Sequence, residues 1–364
     1  MTLILLCAGG TGGHLFPAEA LAHELNARGC VFHLVTDERA GRFIENFPAA
    51  EIHRVPSATF GSKRPDRLAG SLWSIWKGFR LSGELIRKIK PGVVVGFGGY
   101  PTVPPMMAAV QAGLPTIVHE QNAVMGRANR MLAGRATKIA AGIAQAGPKP
   151  EIAAKLVVTG NPVRPPVLEA AKIPYEPSRE GEPFRLVVFG GSQGAQFFSQ
   201  IIPKAIALLP EGLVRRLVVT QQARADEADE VRAFYAMAGI DADVEPFFSD
   251  MAARIGRAHL VVSRSGASTV SELAIVGRPS ILVPYPYALD HDQAANAARL
   301  EAAGGTIVAR QDELPPETLA ELIQRIADDP SEAARMAAAA KATGIPDAAR
   351  LLADLVLSMP ARGR

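Results

Sequence analysis

The sequence predicts an α/β chain of two halves, each organised on a parallel sheet. Three observations predict it. Residues 3–7 form an apolar run too short for a helix, followed by glycines at 9, 10, 12 and 13. That pattern is a buried parallel strand entering a tight loop. The device recurs at residues 186–189, which lead into Gly190-Gly191-Ser192-Gln193-Gly194-Ala195, halfway along a chain of 364 residues. Between and after these loops, short apolar runs alternate with helical patterns, the signature of a doubly wound sheet.

Composition sets bounds on function. The chain is 48% hydrophobic and 21% charged, which fits a globular protein with a sizeable core. Its two cysteines, Cys7 and Cys30, argue against a disulfide framework and suit a reducing compartment. No apolar run approaches the ~20 residues of a membrane span. The start lacks the basic region of a signal peptide. Net charge is +3, but residues 1–163 carry 18 Lys and Arg against 10 Asp and Glu. A basic first half suits a phosphate-bearing partner: anionic lipid, nucleic acid or a pyrophosphate substrate.

In chain order, residues 17–28 read as a helix with Pro17 in its first turn. Strand, glycine loop and helix start then form an anion-binding corner. Residues 31–36 are a second strand, ending in Asp37. The dinucleotide fingerprint G-x-G-x-x-G fails because Ala8 holds its first position, and no G-K-[ST] follows either glycine loop. Residues 66–90 read as a helix whose Leu68, Leu72, Ile75, Trp76 and Phe79 fall on one face. Both tryptophans, Trp73 and Trp76, lie here among Arg67, Lys77, Arg80, Arg87, Lys88 and Lys90. One reading is a surface helix packed on the sheet. The other is a membrane-surface patch of Leu72, Trp73, Ile75, Trp76 and Phe79.

Residues 93–97 and 116–118 are further buried strands, the latter leading into His119-Glu120-Gln121-Asn122. Polar residues there lie at the carboxyl edge of the sheet, where open α/β sheets bind ligands. The stretch 160–166, rich in proline, reads as an interdomain linker. Domains are therefore expected at 1–162 and 163–345, with an amphipathic tail at 346–364 folding back on the first.

In the second half, Ser263-Arg264-Ser265-Gly266-Ala267-Ser268-Thr269 follows a strand and opens a helix, with Glu272 about one turn in. Small and hydroxyl residues at a helix start suit a phosphate, and Glu272 suits a ribose diol. The alternative is capping by Ser268 or Thr269 with Glu272 reaching back. Asp290-His291-Asp292-Gln293 with Asn296 supplies carboxylates and amides for sugar hydroxyls. The D-x-D pairs at 241/243 and 290/292 lack further ligands, so no metal is expected.

Taken in order, Gly9-Gly-Thr-Gly-Gly-His14, Gly98-Gly-Tyr-Pro101, His119-Glu-Gln-Asn122, Gly160-Asn-Pro-Val-Arg164, Gly190-Gly-Ser-Gln-Gly-Ala195, Ser263-Arg-Ser-Gly-Ala267 and Asp292-Gln-x-x-Asn296 resemble the MurG family. These are peripheral membrane glycosyltransferases of peptidoglycan synthesis, and the resemblance covers nearly the whole chain. It implies the GT-B architecture, two Rossmann-like domains facing a central cleft. It implies inverting transfer of N-acetylglucosamine from UDP-GlcNAc to the 4-hydroxyl of undecaprenyl-pyrophosphoryl-N-acetylmuramoyl-pentapeptide. No cofactor and no nucleic acid are implied. The implied place is the cytoplasmic face of the bacterial inner membrane, on its anionic surface, in company with other cell-wall synthesis proteins.

By the same resemblance, the C-terminal domain holds the donor. Phe248 would offer its backbone to uracil and Glu272 would take the ribose. Ser192 and Thr269 would meet the phosphates on the turn formed with Ala267 and Ser268. Arg164, Asp292, Gln293 and Asn296 would line the nucleotide-sugar pocket, and Thr11, Gly12, Gly13 and Asn122 would close over the sugar. His14 is read as the general base, with pyrophosphate ligation and helix capping as its alternatives. Glu120 is the rival base or the residue that orients His14. Two other classes compete: a UDP-GlcNAc epimerase of similar fold, and a non-catalytic nucleotide-sugar binding protein.

Overall fold

The computed structural model describes residues 3–45, 47–57, 65–144, 148–288 and 292–360, with backbone alone at 42–43, 65–69, 71–72 and 191–195. The side chains of Leu68, Leu72 and Ser192, together with Asp290 and His291, lie outside the described residues. The chain divides into two compact units, Met1–Pro165 with Pro346–Arg364, and Pro166–Ile345.

The first unit holds strands β1 (Ile4–Cys7), β2 (Phe32–Thr36), β3 (Glu51–Arg54), β4 (Val93–Gly96), β5 (Thr116–Glu120), β6 (Lys138–Ala141) and β7 (Leu156–Val158). They pair in the order β3-β2-β1-β4-β5-β6-β7, every pair parallel. Side chains alternate along β1. Ile4 and Leu6 face a core shared with the helix Gly12–Ala27, while Leu5 and Cys7 face one shared with Val103, Met106 and Leu132. Apolar residues on both faces are what a sheet covered on both sides demands.

The second unit holds β8 (Phe184–Phe189), β9 (Leu217–Gln222), β10 (Asp241–Glu245), β11 (Leu260–Ser263), β12 (Ser280–Leu282) and β13 (Thr306–Val308). Their order is β10-β9-β8-β11-β12-β13, again wholly parallel. In each sheet the chain starts in the middle, adds strands to one side, then crosses to the other. The reversal falls between β1 and β4, and between β8 and β11. Loops diverge at the carboxyl end of such a reversal and leave a crevice for ligands.

Each glycine cluster runs from a short loop into the first turn of a helix, with Gly9 and Gly10 before the first helix and Gly190 before the second. The first helix begins at Gly12, not near Pro17, with Thr11 as N-cap. The amides of His14 and Leu15 donate to the Thr11 carbonyl at 3.1 and 3.2 Å. Pro17 lies inside the helix. The second cluster likewise opens the helix Gly191–Ile206, capped by Gly190.

The helix Pro65–Ile89 corrects the expected apolar face. Phe79, assigned by spacing to a membrane patch, packs against the core that contains Val55, Ile86 and Val103. Trp76, assigned to the same face as Phe79, is 47% exposed and Trp73 is 63% exposed. The closing helix Ala348–Leu357 puts Leu352, Ala353 and Val356 into the first unit's core, and Asp354 pairs with Arg28 at 2.6 Å.

Candidate active site

In the first unit the polar residues gather at the β1/β4 reversal. His14 stands in the first turn of the helix that follows β1. Its imidazole rests on the turn after β4, where Gly98 and Gly99 have φ of +89° and +77°. A Cβ at Gly98 would lie 3.3 Å from His14 Nδ1, and one at Gly99 3.1 Å from its Cδ2. Glycine is needed there twice, for the left-handed backbone and for the close approach.

His14 Nδ1 meets Gln121 Oε1 at 3.3 Å. Gln121 Nε2 donates to the Phe97 carbonyl at 2.8 Å and to His119 Nδ1 at 3.0 Å. His119 Nε2 faces the Gly160 carbonyl at 3.4 Å. Burial lowers the pKa of His14, with the Glu120 carboxylate opposing it, and pushes His119 down to about 4. Both rings are therefore neutral at neutral pH.

Glu120 is buried, and its oxygens accept from the Asn122 and Gly126 amides at 2.9 and 3.0 Å and from Asn129 Nδ2 at 2.8 Å. Asn122 Nδ2 also donates to it, at 3.2 Å. This carboxylate holds the 120–129 loop together, and its lone pairs are taken. Those bonds brace the loop that carries Gln121 and Asn122 and favour the orienting reading of Glu120 over the base. Thr11 and Gly13 are exposed at the helix start and Gly12 half-buried. Arg164 also belongs to the first unit, its guanidinium 3.8 Å from the centre of the Phe16 ring.

In the second unit the helix starts after β8 and β11 lie on adjacent strands. Gly266 caps the helix Ala267–Val276 and offers no side chain, so capping by Ser268 or Thr269 is not realised. Ser271 instead turns back to the Ala267 carbonyl at 2.8 Å. Thr269 and Ser268 lie three and four residues before Glu272 and share its helix face. Just before this start, Arg264 is buried, donating to the Val283 and Pro284 carbonyls and to Gln311, and flanked by the rings of Phe197, Phe198 and Tyr285. Burial lowers its pKa to about 10, so the cation persists. Among the described residues no carboxylate pairs with it, and its charge adds to the positive end of the helix dipole.

Asn296 is buried and donates to the Ser265 carbonyl at 3.3 Å, and Gln293 accepts from the Tyr285 amide at 3.0 Å. Asp292 begins the helix Asp292–Ala302. Phe248 is buried beneath the Arg254 guanidinium at 4.3 Å, and Asp243 of one D-x-D pair is bound to Arg254 at 2.6 Å. The described residues bring three ligating groups together, His33, Glu51 and His53, on β2 and β3 away from these loops. Gln121 and Arg264 stand in the sequence motifs without an assigned role. Their signal was position, a polar residue directly after a buried strand.

The model of the glycosyltransferase family 28 N-terminal domain matches residues 4–141, and that of its C-terminal domain matches residues 185–352. The chain belongs to glycosyltransferase family 28. This family member is 62% identical, across 97% of its own length and 94% of the other's, to a protein of Mesorhizobium japonicum. That protein is named UDP-N-acetylglucosamine--N-acetylmuramyl-(pentapeptide) pyrophosphoryl-undecaprenol N-acetylglucosamine transferase. The fold of this chain matches the crystal structure of Acinetobacter baumannii MurG with a TM-score of 0.77 at 27% identity, covering 99% of this chain and all of that one. A UDP-GlcNAc 2-epimerase from Neisseria meningitidis matches with a TM-score of 0.68 at 13% identity, covering 98% and 100%. That second likeness shows the fold alone. The chain is thus a GT-B glycosyltransferase with two parallel-sheet α/β domains.

Proposed function

We propose that this family 28 transferase moves N-acetylglucosamine from UDP-GlcNAc to the 4-hydroxyl of N-acetylmuramoyl-pentapeptide pyrophosphoryl-undecaprenol, with inversion. The observation that carries the reading is 62% identity along 97% of the chain to a relative named for that transfer. In a single displacement the acceptor oxygen attacks the sugar's anomeric carbon. The bond to the β-phosphate oxygen breaks, UDP leaves with the electron pair, and the hydroxyl proton passes to His14. A ring kept neutral by burial is ready to accept it.

The second unit takes the donor. The helix starts at Gly191 and Ala267 receive the diphosphate through backbone amides, with Ser192, Ser268 and Thr269 beside it. Glu272 binds the ribose, the Phe248 backbone binds uracil, and Asp292, Gln293 and Asn296 serve the sugar. Arg264 supplies a buried cation behind the phosphates as charge grows on the leaving UDP. In the first unit Thr11, Gly12, Gly13, Asn122 and Arg164 attend the reacting sugars.

The acceptor is a lipid, and no helix among the described residues is long and apolar enough to cross a membrane. Trp73 and Trp76 stack in the open with centroids 5.0 Å apart, and Arg80 lies 5.4 Å from the Trp76 ring. Exposed aromatics beside cations suit the headgroup region of an anionic leaflet, the inner face of the plasma membrane.

Labelled UDP-GlcNAc with a short-chain lipid acceptor tests the reading. Label in a lipid-linked disaccharide is expected. UDP-ManNAc formed from UDP-GlcNAc alone would make the chain an epimerase. Binding of UDP-GlcNAc without turnover in the presence of acceptor would make it a binding protein.

A further inference from the structure

We propose that Gln121 is a positioning residue: clamped between the Phe97 carbonyl and His119, it keeps the hydrogen of His14 on Nδ1 and leaves Nε2 bare to take the acceptor's proton. The inference rests on the reading of His14 as the base. The argument follows the hydrogens. Gln121 is buried, 2% exposed. Its amide has one accepting and one donating end, and the Phe97 carbonyl at 2.8 Å can only accept. The nitrogen must face that carbonyl, because turning the amide over would set two oxygens against each other.

The second amide hydrogen meets His119 Nδ1 at 3.0 Å, so that nitrogen is the bare one. The hydrogen of His119 then sits on Nε2, facing the Gly160 carbonyl at 3.4 Å. His119 is fully buried and holds a single hydrogen, so it cannot donate from both sides. Gln121 Oε1 lies 3.3 Å from His14 Nδ1, and the Phe97 carbonyl, the same one that holds the Gln121 amide, is a second acceptor for the ring. An amide oxygen only accepts, so His14 Nδ1 carries the hydrogen. A neutral imidazole has one, and Nε2 is left with its lone pair.

The ring cannot readily exchange this arrangement. A half-turn would put Cδ2 against Gln121 Oε1 and forfeit the bond, and Gly98 and Gly99 stand so close that a Cβ on either would come within 3.3 Å of the ring. A base is effective only when held in the right tautomer, and a hydrogen-bond acceptor on its far nitrogen both fixes that tautomer and supports the cation formed. Here a neutral amide fills that place, and the Glu120 carboxylate adds its field without touching the ring.

The test is long-range proton–nitrogen correlation on the full chain labelled with ¹⁵N-histidine, in which each ring reports its tautomer. His14→Gln identifies the His14 signals. The expected pattern is Nδ1–H for His14 and Nε2–H for His119. In Gln121→Met the His14 pattern is expected to become a mixture of tautomers. Its kcat is expected to fall about 10-fold to 100-fold, short of the ~10²–10⁴-fold loss of a general base, with UDP affinity unchanged. Gln121→Glu keeps an accepting oxygen for His14, and its other oxygen can face the Phe97 carbonyl only as a protonated acid, so it should retain the Nδ1–H pattern of His14. An Nε2–H pattern for His14 in the unsubstituted protein overturns the inference. So does an unchanged pattern in Gln121→Met or, should that variant not fold, loss of the Nδ1–H pattern of His14 in Gln121→Glu. A changed tautomer with unchanged kcat would keep the hydrogen-bond assignment and remove His14 from the role of base.

Discussion

His14 works as a base only while neutral, so its surroundings set the pH range of the reaction. Burial lowers its pKa from the ordinary 6.5, against the pull of Glu120. The acid limb of kcat/KM, which reports the free enzyme, is therefore expected below 6.5. A limb above that value would contradict the placement of the ring. His14→Ala should lower kcat by ~10²–10⁴-fold and leave UDP affinity near the original, because the residues proposed for the uracil, ribose and diphosphate lie in the other unit. A change confined to the acceptor KM would instead make His14 a ligand of the acceptor pyrophosphate. The neighbouring carboxylate is not expected to take over the role. Glu120 spends its lone pairs on the Asn122 and Gly126 amides and on the Asn122 and Asn129 side chains.

Two helices carry the predictions at the scale of elements. The helix Ala267–Val276 begins at a glycine, so its first amides have no side-chain cap competing with a phosphate. Glu272 lies in its second turn, on the face of Ser268 and Thr269. Loss of its charge-assisted bond to ribose should weaken UDP binding by about 1.5–3 kcal/mol. Calorimetry of UDP with Glu272→Ala measures this, and unchanged affinity in a folded variant would remove the ribose role. The helix Pro65–Ile89 turns Phe79, Ser82 and Ile86 inward and leaves Trp73 and Trp76 outside. Trp73→Ser/Trp76→Ser should therefore reduce co-sedimentation with anionic vesicles without affecting stability or UDP affinity. Equal co-sedimentation would leave the stacked pair without a membrane role.

For the whole molecule, stability depends on acid-sensitive histidines in both units. His119 in the first and His259 in the second are each held down to about 4, His119 chiefly by burial and His259 by burial and then by Arg185 and Arg278. The unfolded chain takes these protons near pH 6.5, but the folded one resists until about 4. Their contribution is complete above 6.5 and is lost as pH falls from 6.5 towards 4, by up to about 1.4 kcal/mol per pH unit for the fully buried His119. Urea denaturation from pH 7.5 to 4.5 should show this fall, and a flat profile would argue against a buried neutral His119. The tail adds a second test. Leu352 is fully buried in the first unit's core, far along the chain from the strands it covers. Leu352→Ala should cost about 2–5 kcal/mol while UDP affinity stays unchanged.

The sequence alone determined the two parallel sheets, because a strand buried on both faces must be apolar throughout, and the runs that open each half lead into glycine. It also marked the polar residues at their carboxyl edges, since only a ligand or a hydrogen-bond network keeps His119-Glu-Gln-Asn122 beside a buried strand. Tertiary structure alone decided where the helices begin. Gly12 and Gly191 are poor helix formers, yet the Thr11 carbonyl already accepts from His14 and Leu15. It also decided the orientation of the helix Pro65–Ile89. Periodicity groups Trp76 with the inward stripe, but the close contact falls at Gly78, where a Cβ would lie 2.3 Å from the Pro56 carbonyl. Trp76 is two residues away, about 200° around the helix, and so faces outward. The role of Gln121 belongs to the tertiary structure for the same kind of reason. Its partners His14, Phe97 and His119 come from three segments that only the strand order brings together, and which atom holds a hydrogen depends on all of them at once.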